Sequence, residues 1–368
     1  MKSMSVKSLQ TGSVIGMLGG GQLGRMMAMS AAQLGFHTHI YCPDERNPGE
    51  QVTDKLTRKA YDDREALSVF AQSVDVVTYE FENIPVESVR FLEQHVAVYP
   101  SADVLEIAQD RLFEKDFLNK NGIATAAYRA VNTVEEAVDA VAEIGLPAVL
   151  KTRRFGYDGK GQVIVRKAED VPAAWDALGN DRIIVEGFVP FRMEISVLAA
   201  RGQDGEVCCF TPVENQHKNH ILDKSIAPAR ISADLQEAAV DMATTIITAL
   251  NYVGLLAVEM FVSDDEPQLR VNEIAPRVHN SGHWTIEACA TSQFEQHIRA
   301  VCGLPLGGVD LYAQAVMTNL IGDDILQYND LLREAGANVH HYGKSQARPG
   351  RKMGHVTRLY PLGQKLPG

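Results

Sequence analysis

Two different patterns of predicted strands and helices divide this chain into two regions and limit the folds that it can adopt. Between residues 14 and 110, short β-rich runs alternate with helical stretches, which is typical of βαβ units in a mostly parallel sheet. After segment 145–147, which reads Gly-Leu-Pro, hairpin-like runs bounded by Gly, Pro and Asp follow one another and predict an antiparallel sheet. The sequence therefore predicts an α/β region followed by an α+β region.

The expected elements follow from these patterns. In the first region we predict strands at 14–18, 37–41, 74–79 and 96–99, and helices at 22–34, 64–72 and 86–94. In the second we predict strands at 148–152, 162–166, 182–186, 194–200 and 206–212, and helices at 111–121, 134–144, 233–250 and 285–302. From residue 303 on we expect a small strand-rich module with a helix-like stretch at 324–335.

Composition excludes several classes of function. With 45% hydrophobic and 22% charged residues, the chain has the composition of a soluble globular protein, and its net charge of -12 argues against general nucleic-acid binding. The first apolar run is too short for a signal peptide or a membrane span, so we expect neither export nor insertion into a membrane. Five cysteines without metal-type or disulfide-type spacing fit a reducing cytoplasm. From Lys344 to the end there are six Lys or Arg and no Asp or Glu, which indicates that an anion binds near this end of the chain.

A pair of glutamates carries the strongest chemical signal. Glu259 and Glu273 lie on two strand-like runs, and a hairpin folded about Glu266 would place them directly opposite on one face. Two opposed carboxylates repel each other unless a cation lies between them, and Mg²⁺ accepts such oxygen ligands. The alternative is a solvated hairpin whose acids point into water. The following segment, 272–284, favours the metal site because it concentrates a cation, two histidines and two amides in a turn-rich loop.

Two glycine-rich loops are candidate phosphate sites. The first, at 19–24, follows a strand and opens a helix as G-x-G-x-x-G does, with Asp44 or Glu45 as a candidate ribose ligand. A dinucleotide such as NAD or FAD, another phosphate-bearing ligand and close strand–helix packing all remain open for it. The second, at 156–162, joins the strand with Lys151 to the next strand and is typical of a phosphate clamp, although a tight hairpin turn is the alternative.

Three further signals are weak by themselves. Segment 186–190, followed by Glu194, is similar to a strand-to-linker segment that presents backbone groups to an adenine edge. His217 stands alone in a polar loop, where a histidine is by default a surface residue. A P-loop is excluded because Asn338 stands where its first glycine would be.

Taken in order, these motifs resemble the ATP-grasp superfamily. The runs at 19–25, at 272–285 and at 350–355 sharpen the resemblance to the N5-carboxyaminoimidazole ribonucleotide synthetase family, over residues 13 to 360. The resemblance implies an ATP-grasp fold with an N-terminal Rossmann-like parallel-sheet domain and a small C-terminal β-rich domain. The implied boundaries are 1–110, 111–302 and 303–368, with the middle domain divided into an ATP-lid part, 111–190, and a catalytic part, 191–302.

The resemblance also assigns residues. It implies ATP binding by Arg111, Lys151, Gly156, Tyr157, Asp158, Gly159, Lys160, Gly161, Gln162, Glu186, Gly187, Phe188, Val189, Glu194, His217, Asn272 and Glu273. It implies metal binding by Glu259 and Glu273, and catalytic roles for Lys151, Arg277, His279 and Asn280. The acceptor nucleotide would contact Gly20, Gly21, Gln22, Leu23, Tyr157, Asp158, Lys344, Arg351 and Lys352.

The implied reaction is the ATP-dependent carboxylation of 5-aminoimidazole ribonucleotide by bicarbonate, with Mg²⁺ as cofactor and Mn²⁺ as an alternative. The family also implies a homodimer and leaves open a transient hand-off of product to a downstream mutase. Three rivals remain at this point: another ATP-grasp enzyme that uses formate or biotin, a nicotinamide-dependent oxidoreductase built on loop 19–24, and a catalytically silent nucleotide-binding regulator.

Overall fold

The computed structural model describes residues 8–156, 159–179 and 182–366. These residues form three sheets, one parallel and two antiparallel. Among them, no helix combines the length and the apolar composition that a membrane crossing requires. The predicted mixture of α/β and α+β architecture is confirmed.

The N-terminal sheet has four parallel strands in the order β3-β2-β1-β4. Its elements are β1 (Val14–Leu18), α1 (Gln22–Gln33), β2 (His37–Tyr41), β3 (Lys55–Thr57), α2 (Arg64–Ala71), β4 (Val76–Tyr79), α3 (Val86–Glu93) and α4 (Ala102–Gln109). Strands β1, β2 and β4 read as near-continuous buried runs, as expected for a parallel sheet covered on both faces.

A second sheet forms the part of the chain that carries loop 156–162. Its elements are α5 (Arg111–Lys120), β5 (Tyr128–Val131), α6 (Val134–Ile144), β6 (Ala148–Thr152), β7 (Gln162–Val165), α7 (Val171–Ala177) and β8 (Ile183–Gly187). The strands are antiparallel in the order β5-β8-β6-β7. Thr133 caps α6 by accepting a hydrogen bond from Glu136 N, and the Glu136 carboxylate accepts one from Asn132 N.

The largest sheet contains the remaining strands. They are β9 (Met193–Arg201), β10 (Val207–Cys209), β11 (Val213–Lys218), β12 (Ile221–Ala227), β13 (Gly254–Val262), β14 (Leu269–Ala275), β15 (Gln314–Ile321), β16 (Ala337–His341) and β17 (Lys352–Tyr360). Their order is β14-β13-β9-β11-β12-β15-β17-β16, with β10 paired to β9. The helices are α8 (Ala233–Ala249), α9 (Thr285–Ala288), α10 (Gln293–Val301) and α11 (Tyr328–Leu331). The C-terminal strands thus extend the central sheet, and the boundary at 303 stays a prediction.

Four expectations about elements were wrong. Segment 96–99 contributes only an isolated bridge between Val98 and Val77, and helix α4 was not predicted. Strands β11 and β12 were missed because their polar residues face the site and break the apolar alternation. The expected helix 285–302 is two helices, because Ser292 starts a new one by accepting a hydrogen bond from Glu295 N.

His297 joins the parallel sheet to the central sheet and should make stability depend on pH. Leu255 N donates to its Nδ1 at 3.1 Å, so Nε2 carries the proton that faces Thr78 Oγ1 at 2.7 Å. Burial lowers the pKa of His297 from 6.5 to about 4. The unfolded chain therefore binds a proton near pH 6 that the folded chain does not, and stability falls as pH falls.

We expect this residue alone to remove about 2 kcal/mol of unfolding free energy between pH 7 and pH 5. The unfolding free energy, measured with urea at both pH values, should therefore decrease less for His297→Gln than for the parent protein. The exposed His95 supplies the control, since His95→Gln should keep the parental pH dependence. An equal decrease in unfolding free energy for the parent and for His297→Gln would contradict the assignment of this pH dependence to His297.

Candidate active site

Two adjoining cavities lie where the three sheets meet. The first, of about 370 Å³, lies between the β6–β7 hairpin and the central sheet, and the second, of about 360 Å³, faces the N-terminal sheet. Five residues line both, namely Arg111, Glu273, His279, Asn280 and Lys352. A molecule in one cavity would therefore share a wall with a molecule in the other.

Of the carboxylate pair, Glu273 lies at this shared wall and Glu259 lines the first cavity. Glu259 and Glu273 are direct partners across β13 and β14, as the hairpin pattern predicts, and the register shifts just after Glu259. Burial, followed by the charge of Glu273, raises the pKa of Glu259. The Glu259 side chain is only 15% exposed, so water screens the repulsion poorly. A divalent cation fits this donor set because it would neutralise two opposed, mostly buried carboxylates.

His279 is held in one orientation by a buried hydrogen-bond chain. Ser281 N donates to its Nδ1 at 3.3 Å, so the proton resides on Nε2, which lies 3.6 Å from Glu259 Oε1. Burial, with the charges of Arg277 and Lys352, holds the pKa of His279 well below its usual range. Ser281 Oγ lies 2.7 Å from Ser196 Oγ, which accepts from Asn215 Nδ2. The ring is therefore neutral and presents an N–H to the carboxylate pair.

Glu186 is enclosed by two ammonium groups. Its Oε2 accepts a hydrogen bond from Lys151 Nζ at 2.9 Å, and its Oε1 lies 3.4 Å from Lys115 Nζ. Burial opposes ionisation, but the two lysines outweigh it and lower the pKa of Glu186 to about 2. The side chain, expected to bind ATP, lines the first cavity and also holds Lys151 in place.

The second glycine loop is tied to α5. Arg111 donates to Thr152 O at 3.1 Å and to Gly156 O at 3.4 Å, which are carbonyls at the base of this loop. Gly159 and Gly161 have φ values of +75° and +71°, a conformation that other residues rarely adopt. Tyr157 and Asp158, both predicted site residues, lie outside the described residues.

Apolar side chains form part of the first cavity, and sequence patterns did not identify them. Its walls include Val149, Ile164, Phe191, Leu222 and Phe261, and the rings of Phe191 and Phe261 stack at 4.5 Å. The period of two along β13 places Phe261 on the same face as Glu259, so strand alternation could have found this residue. Such walls suit a flat heteroaromatic ring.

The first glycine loop holds an internal anion. Glu80, at the end of β4, accepts hydrogen bonds from Gly21 N and from Gly24 N, the latter at 2.7 Å. Burial raises the pKa of Glu80, whereas these two hydrogen bonds lower it. A Cβ on Gly21 would lie 2.7 Å from Glu80 Oε1, which explains the glycine. The N-terminus of α1 is thus occupied by a carboxylate, which disfavours a dinucleotide phosphate there.

Arg277 is paired with Glu82 at the second cavity. Its Nε donates to Glu82 Oε2 and its Nη2 to Glu82 Oε1 at 3.1 Å, a two-pronged contact between the central and N-terminal sheets. Asn280, also a predicted catalytic residue, exchanges two hydrogen bonds with Asn319 through its amide, at 3.0 and 2.6 Å. Both contacts fix side chains close to Glu273.

Most predicted site residues line these cavities. The first is lined by the predicted ATP and metal residues Arg111, Lys151, Gly159, Lys160, Gln162, Glu186, Gly187, Phe188, Val189, Glu194, His217, Glu259, Asn272 and Glu273. The second is lined by Gly21, Gln22, Leu23, Gly156 and Arg277. Gly20, Gly161, Lys344 and Arg351 line neither: Gly20 O accepts from Gly49 N, Lys344 Nζ donates to Lys352 O, and Arg351 donates to Gln346 O. Sequence reasoning missed Glu80, Glu82 and Glu114.

His217 and Glu194 form a pair at the wall of the first cavity. His217 Nδ1 lies 3.2 Å from Glu194 Oε1. Burial opposes protonation, but this carboxylate outweighs it and raises the pKa of His217. The histidine that a polar-loop setting would leave at the surface therefore belongs to the cavity.

A separate buried cluster joins α9 to the C-terminal hairpin. Ligand-type atoms of Glu287, His340 and His355 lie within 4.8 Å of one another. His340 Nε2 lies 2.5 Å from Glu287 Oε1, and His355 Nδ1 lies 2.9 Å from Tyr342 Oη. Glu287 Oε2 and His355 Nε2 are buried and have no hydrogen-bond partner among the described residues, and none of the three residues lines either cavity.

Family models match most of the chain. The ribonucleotide synthetase preATP-grasp domain matches residues 13–109, the ATP-grasp domain matches 116–294, and the phosphoribosylaminoimidazole carboxylase C-terminal domain matches 315–362. The first match covers the parallel sheet, the second covers the β5–β8 sheet and much of the central sheet, and the third covers C-terminal strands of the central sheet.

Similar proteins cover the chain almost end to end. N5-carboxyaminoimidazole ribonucleotide synthase of Brucella melitensis is 50% identical over 360 residues, which are 97% of this chain and 99% of that protein. An ADP complex of an N5-carboxyaminoimidazole ribonucleotide synthetase is 44% identical with a TM-score of 0.93, covering 96% of this chain and 94% of that one. The Aspergillus clavatus synthase with ADP and 5-aminoimidazole ribonucleotide is 33% identical, with a TM-score of 0.89 and coverages of 95% and 94%. The chain therefore belongs to the N5-carboxyaminoimidazole ribonucleotide synthase family of ATP-grasp proteins.

Proposed function

We propose that this protein carboxylates the 5-amino group of 5-aminoimidazole ribonucleotide with bicarbonate and ATP in purine biosynthesis. The products are N5-carboxyaminoimidazole ribonucleotide, ADP and phosphate. The observation that carries the proposal is the pairing of Glu259, which lines the first cavity, with Glu273, which lines both cavities. One cavity has apolar walls suited to adenine, and the other extends toward the glycine loop at 19–24. The complex of the Aspergillus clavatus synthase with ADP and the ribonucleotide supports this arrangement.

ATP is proposed to occupy the first cavity. Its ring would lie between the apolar walls, including Phe261, with Glu194 and His217 beside the ribose and Lys151 and Arg111 beside the phosphates. Glu259 and Glu273 would hold Mg²⁺, or Mn²⁺ as an alternative. When bound, this ion neutralises the charge of the phosphate oxygens.

The reaction proceeds in two steps. A bicarbonate oxygen attacks the γ-phosphorus, the bond from that phosphorus to the ADP oxygen breaks, and carboxyphosphate forms. The amine then attacks the carboxyl carbon of carboxyphosphate, or CO₂ released from it; phosphate leaves and the nitrogen loses a proton. Negative charge builds on the phosphoryl oxygens in the first step, and Lys151 and Arg277 stabilise it electrostatically. Neutral His279 orients the bicarbonate with its Nε2–H.

Carboxyphosphate must be protected from water. Gly159, Lys160 and Gln162 of loop 156–162 line the first cavity, and closure of this loop on bound nucleotide would exclude water from the intermediate. Arg111 binds the base of the loop, and it would also contact the phosphates of bound nucleotide.

The proposal extends to the setting of the enzyme. We infer a cytoplasmic homodimer whose labile product is handed transiently to a downstream mutase. Light scattering of the purified protein tests the dimer, and isotope dilution by added free product tests the hand-off.

ADP release tests the function directly. The rate is measured with MgATP and bicarbonate, in the presence and absence of 5-aminoimidazole ribonucleotide. Strong stimulation that disappears when bicarbonate is depleted is the expected result. Stimulation by formate instead of bicarbonate would assign the protein to a different ATP-grasp reaction, and no stimulation by the ribonucleotide would overturn the proposed acceptor.

Lys352→Ala should raise the KM for the ribonucleotide by about tenfold and leave the KM for ATP nearly unchanged. Lys352, at the start of β17, lines both cavities, and we assign its ammonium group to the phosphate of the ribonucleotide, where an anchor would contribute uniform binding. Lys365 is exposed in the same basic end, so Lys365→Ala serves as the control. Steady-state kinetics with each substrate varied in turn test this prediction. An unchanged KM for the ribonucleotide would show that Lys352 is not its phosphate anchor.

A further inference from the structure

We propose that Glu114 and Lys115, consecutive buried residues of α5, are positioning residues that hold the phosphate-binding lysine and the metal-binding strand in a fixed relation. The inference rests on the proposed function and deepens it. Lys115 lines neither cavity and Glu114 lines the second, but the contacts of both side chains that carry this inference are with other protein groups. Each acts through a neighbour, Lys115 through Glu186 and Glu114 through Ile274.

Lys115 acts on Lys151 by way of a shared carboxylate. Its side chain is only 1% exposed, and its Nζ lies 3.4 Å from Glu186 Oε1. Lys151 Nζ lies 2.9 Å from the other oxygen of the same carboxylate. Glu186 is therefore fixed between two cations and cannot rotate away from Lys151 without leaving Lys115 unpaired in a buried position, which would be costly.

The charge balance of this group suits a polyphosphate. Lys115, Lys151 and Arg111 supply three positive charges against the carboxylates of Glu186 and Glu114, so at least one positive charge is left over in a region with little access to water. Lys151, the more exposed of the two lysines at 12%, lines the first cavity, whereas Lys115 does not. The excess charge is thus directed toward the cavity through Lys151.

Glu114 acts on the strand that carries Glu273. Ile274 N donates to Glu114 Oε1 at 2.6 Å in a buried hydrogen bond. Strand β14 is at the edge of the central sheet, so this N–H has no neighbouring strand to bind. The carboxylate of Glu114 takes the place of that strand. It thereby holds the backbone next to Glu273 and three residues before Arg277.

Helix α5 connects these two contacts with a third. Arg111 lies one turn before Lys115 on the same side of the helix, and it binds the carbonyls at the base of loop 156–162. A single helix therefore contacts the loop, Glu186 with its lysine, and the metal-binding strand. Its rigidity keeps the phosphates and the cation at a constant spacing.

The first test replaces Lys115 by Met, which keeps the length of the side chain and removes its charge. MgADP affinity is measured by calorimetry, and KM for ATP and for the ribonucleotide by steady-state kinetics. We expect MgADP binding to weaken at least about tenfold and the ATP KM to rise in parallel, with the ribonucleotide KM unchanged. Lys120→Met, at an exposed position of the same helix, should match the parent.

A double variant separates positioning from mere stabilisation. In Lys115→Met/Glu186→Gln no unpaired buried carboxylate is left, so we expect the combined loss of MgADP affinity to be smaller than the product of the two single losses. Lys115→Arg, which keeps the charge, should recover part of the affinity. If Lys115→Met does not fold, the double variant and Lys115→Arg provide the same comparison. Parental MgADP affinity in a folded Lys115→Met, or multiplicative losses in the double variant, would overturn the role of Lys115.

Glu114 is tested by a pair of variants. Glu114→Gln retains an oxygen that accepts from Ile274 N and should keep the parental Mg²⁺ dependence of ADP release. Glu114→Met removes the acceptor and should raise the required Mg²⁺ concentration at least about fivefold. Equal Mg²⁺ dependence in both variants would overturn the positioning role of Glu114. MgADP binding, which tests the Lys115 variants, does not require the ribonucleotide. Failure of the carboxylation proposal therefore remains distinguishable from failure of this one.

Discussion

Glu273→Gln is expected to lower turnover by at least roughly a hundredfold, because it removes one of two carboxylates proposed to bind the metal. Glu273 faces Glu259 directly across the hairpin and lines both cavities. The same substitution removes a repulsion between two mostly buried charges. In Mg²⁺-free buffer we therefore expect the variant to have a higher Tm than the parent, while its activity falls.

This combination distinguishes a metal ligand from a structural residue. A residue that only supports the fold would lower activity and Tm together. Glu266 in the hairpin turn is exposed, so Glu266→Gln is a matched control that should change neither quantity. Near-normal turnover of Glu273→Gln at saturating Mg²⁺ would contradict the assignment.

Arg277→Met is expected to lower kcat by roughly a thousandfold, because a cation that stabilises charge on a transferring phosphoryl group contributes mainly in the transition state. The KM for ATP should change much less. Arg277 donates two hydrogen bonds to Glu82, which fix its guanidinium beside the second cavity. Rapid-quench measurement of the first turnover would show that the loss lies in the chemical step.

Removal of Arg277 also leaves Glu82 without its partner, and a second variant accounts for this. In Arg277→Met/Glu82→Gln the unpaired charge is gone, so the Tm should recover while kcat stays low. Arg192, which is exposed and pairs with Asp264, provides the control variant Arg192→Met. Recovery of kcat in the double variant would show that Arg277 serves only to balance Glu82.

Local patterns predicted the parts of the molecule that depend on short stretches of chain. The boundaries of β1, β2 and α6 match the prediction because each has a regular apolar period between clear breaking or capping residues. The pairing of Glu259 with Glu273 matches a hairpin folded about Glu266, but it depends on the register shift between Glu259 and Met260 as well as on the turn. Strands β11 and β12 were not predictable, because their polar residues are buried among partners from distant segments.

The sequence by itself determined the ATP-grasp architecture and the family, because motifs are local properties, and it predicted the opposed glutamates, whose pairing also needs the register shift next to Glu259. Only the tertiary structure decided which groups these residues meet. It placed Glu80 at the N-terminus of α1, Glu82 on Arg277, and Lys115 with Lys151 around Glu186. Each of these contacts joins residues far apart in the chain. A buried charge accepts whichever partner the packing of the sheets brings within a few ångströms, and no local pattern specifies that partner.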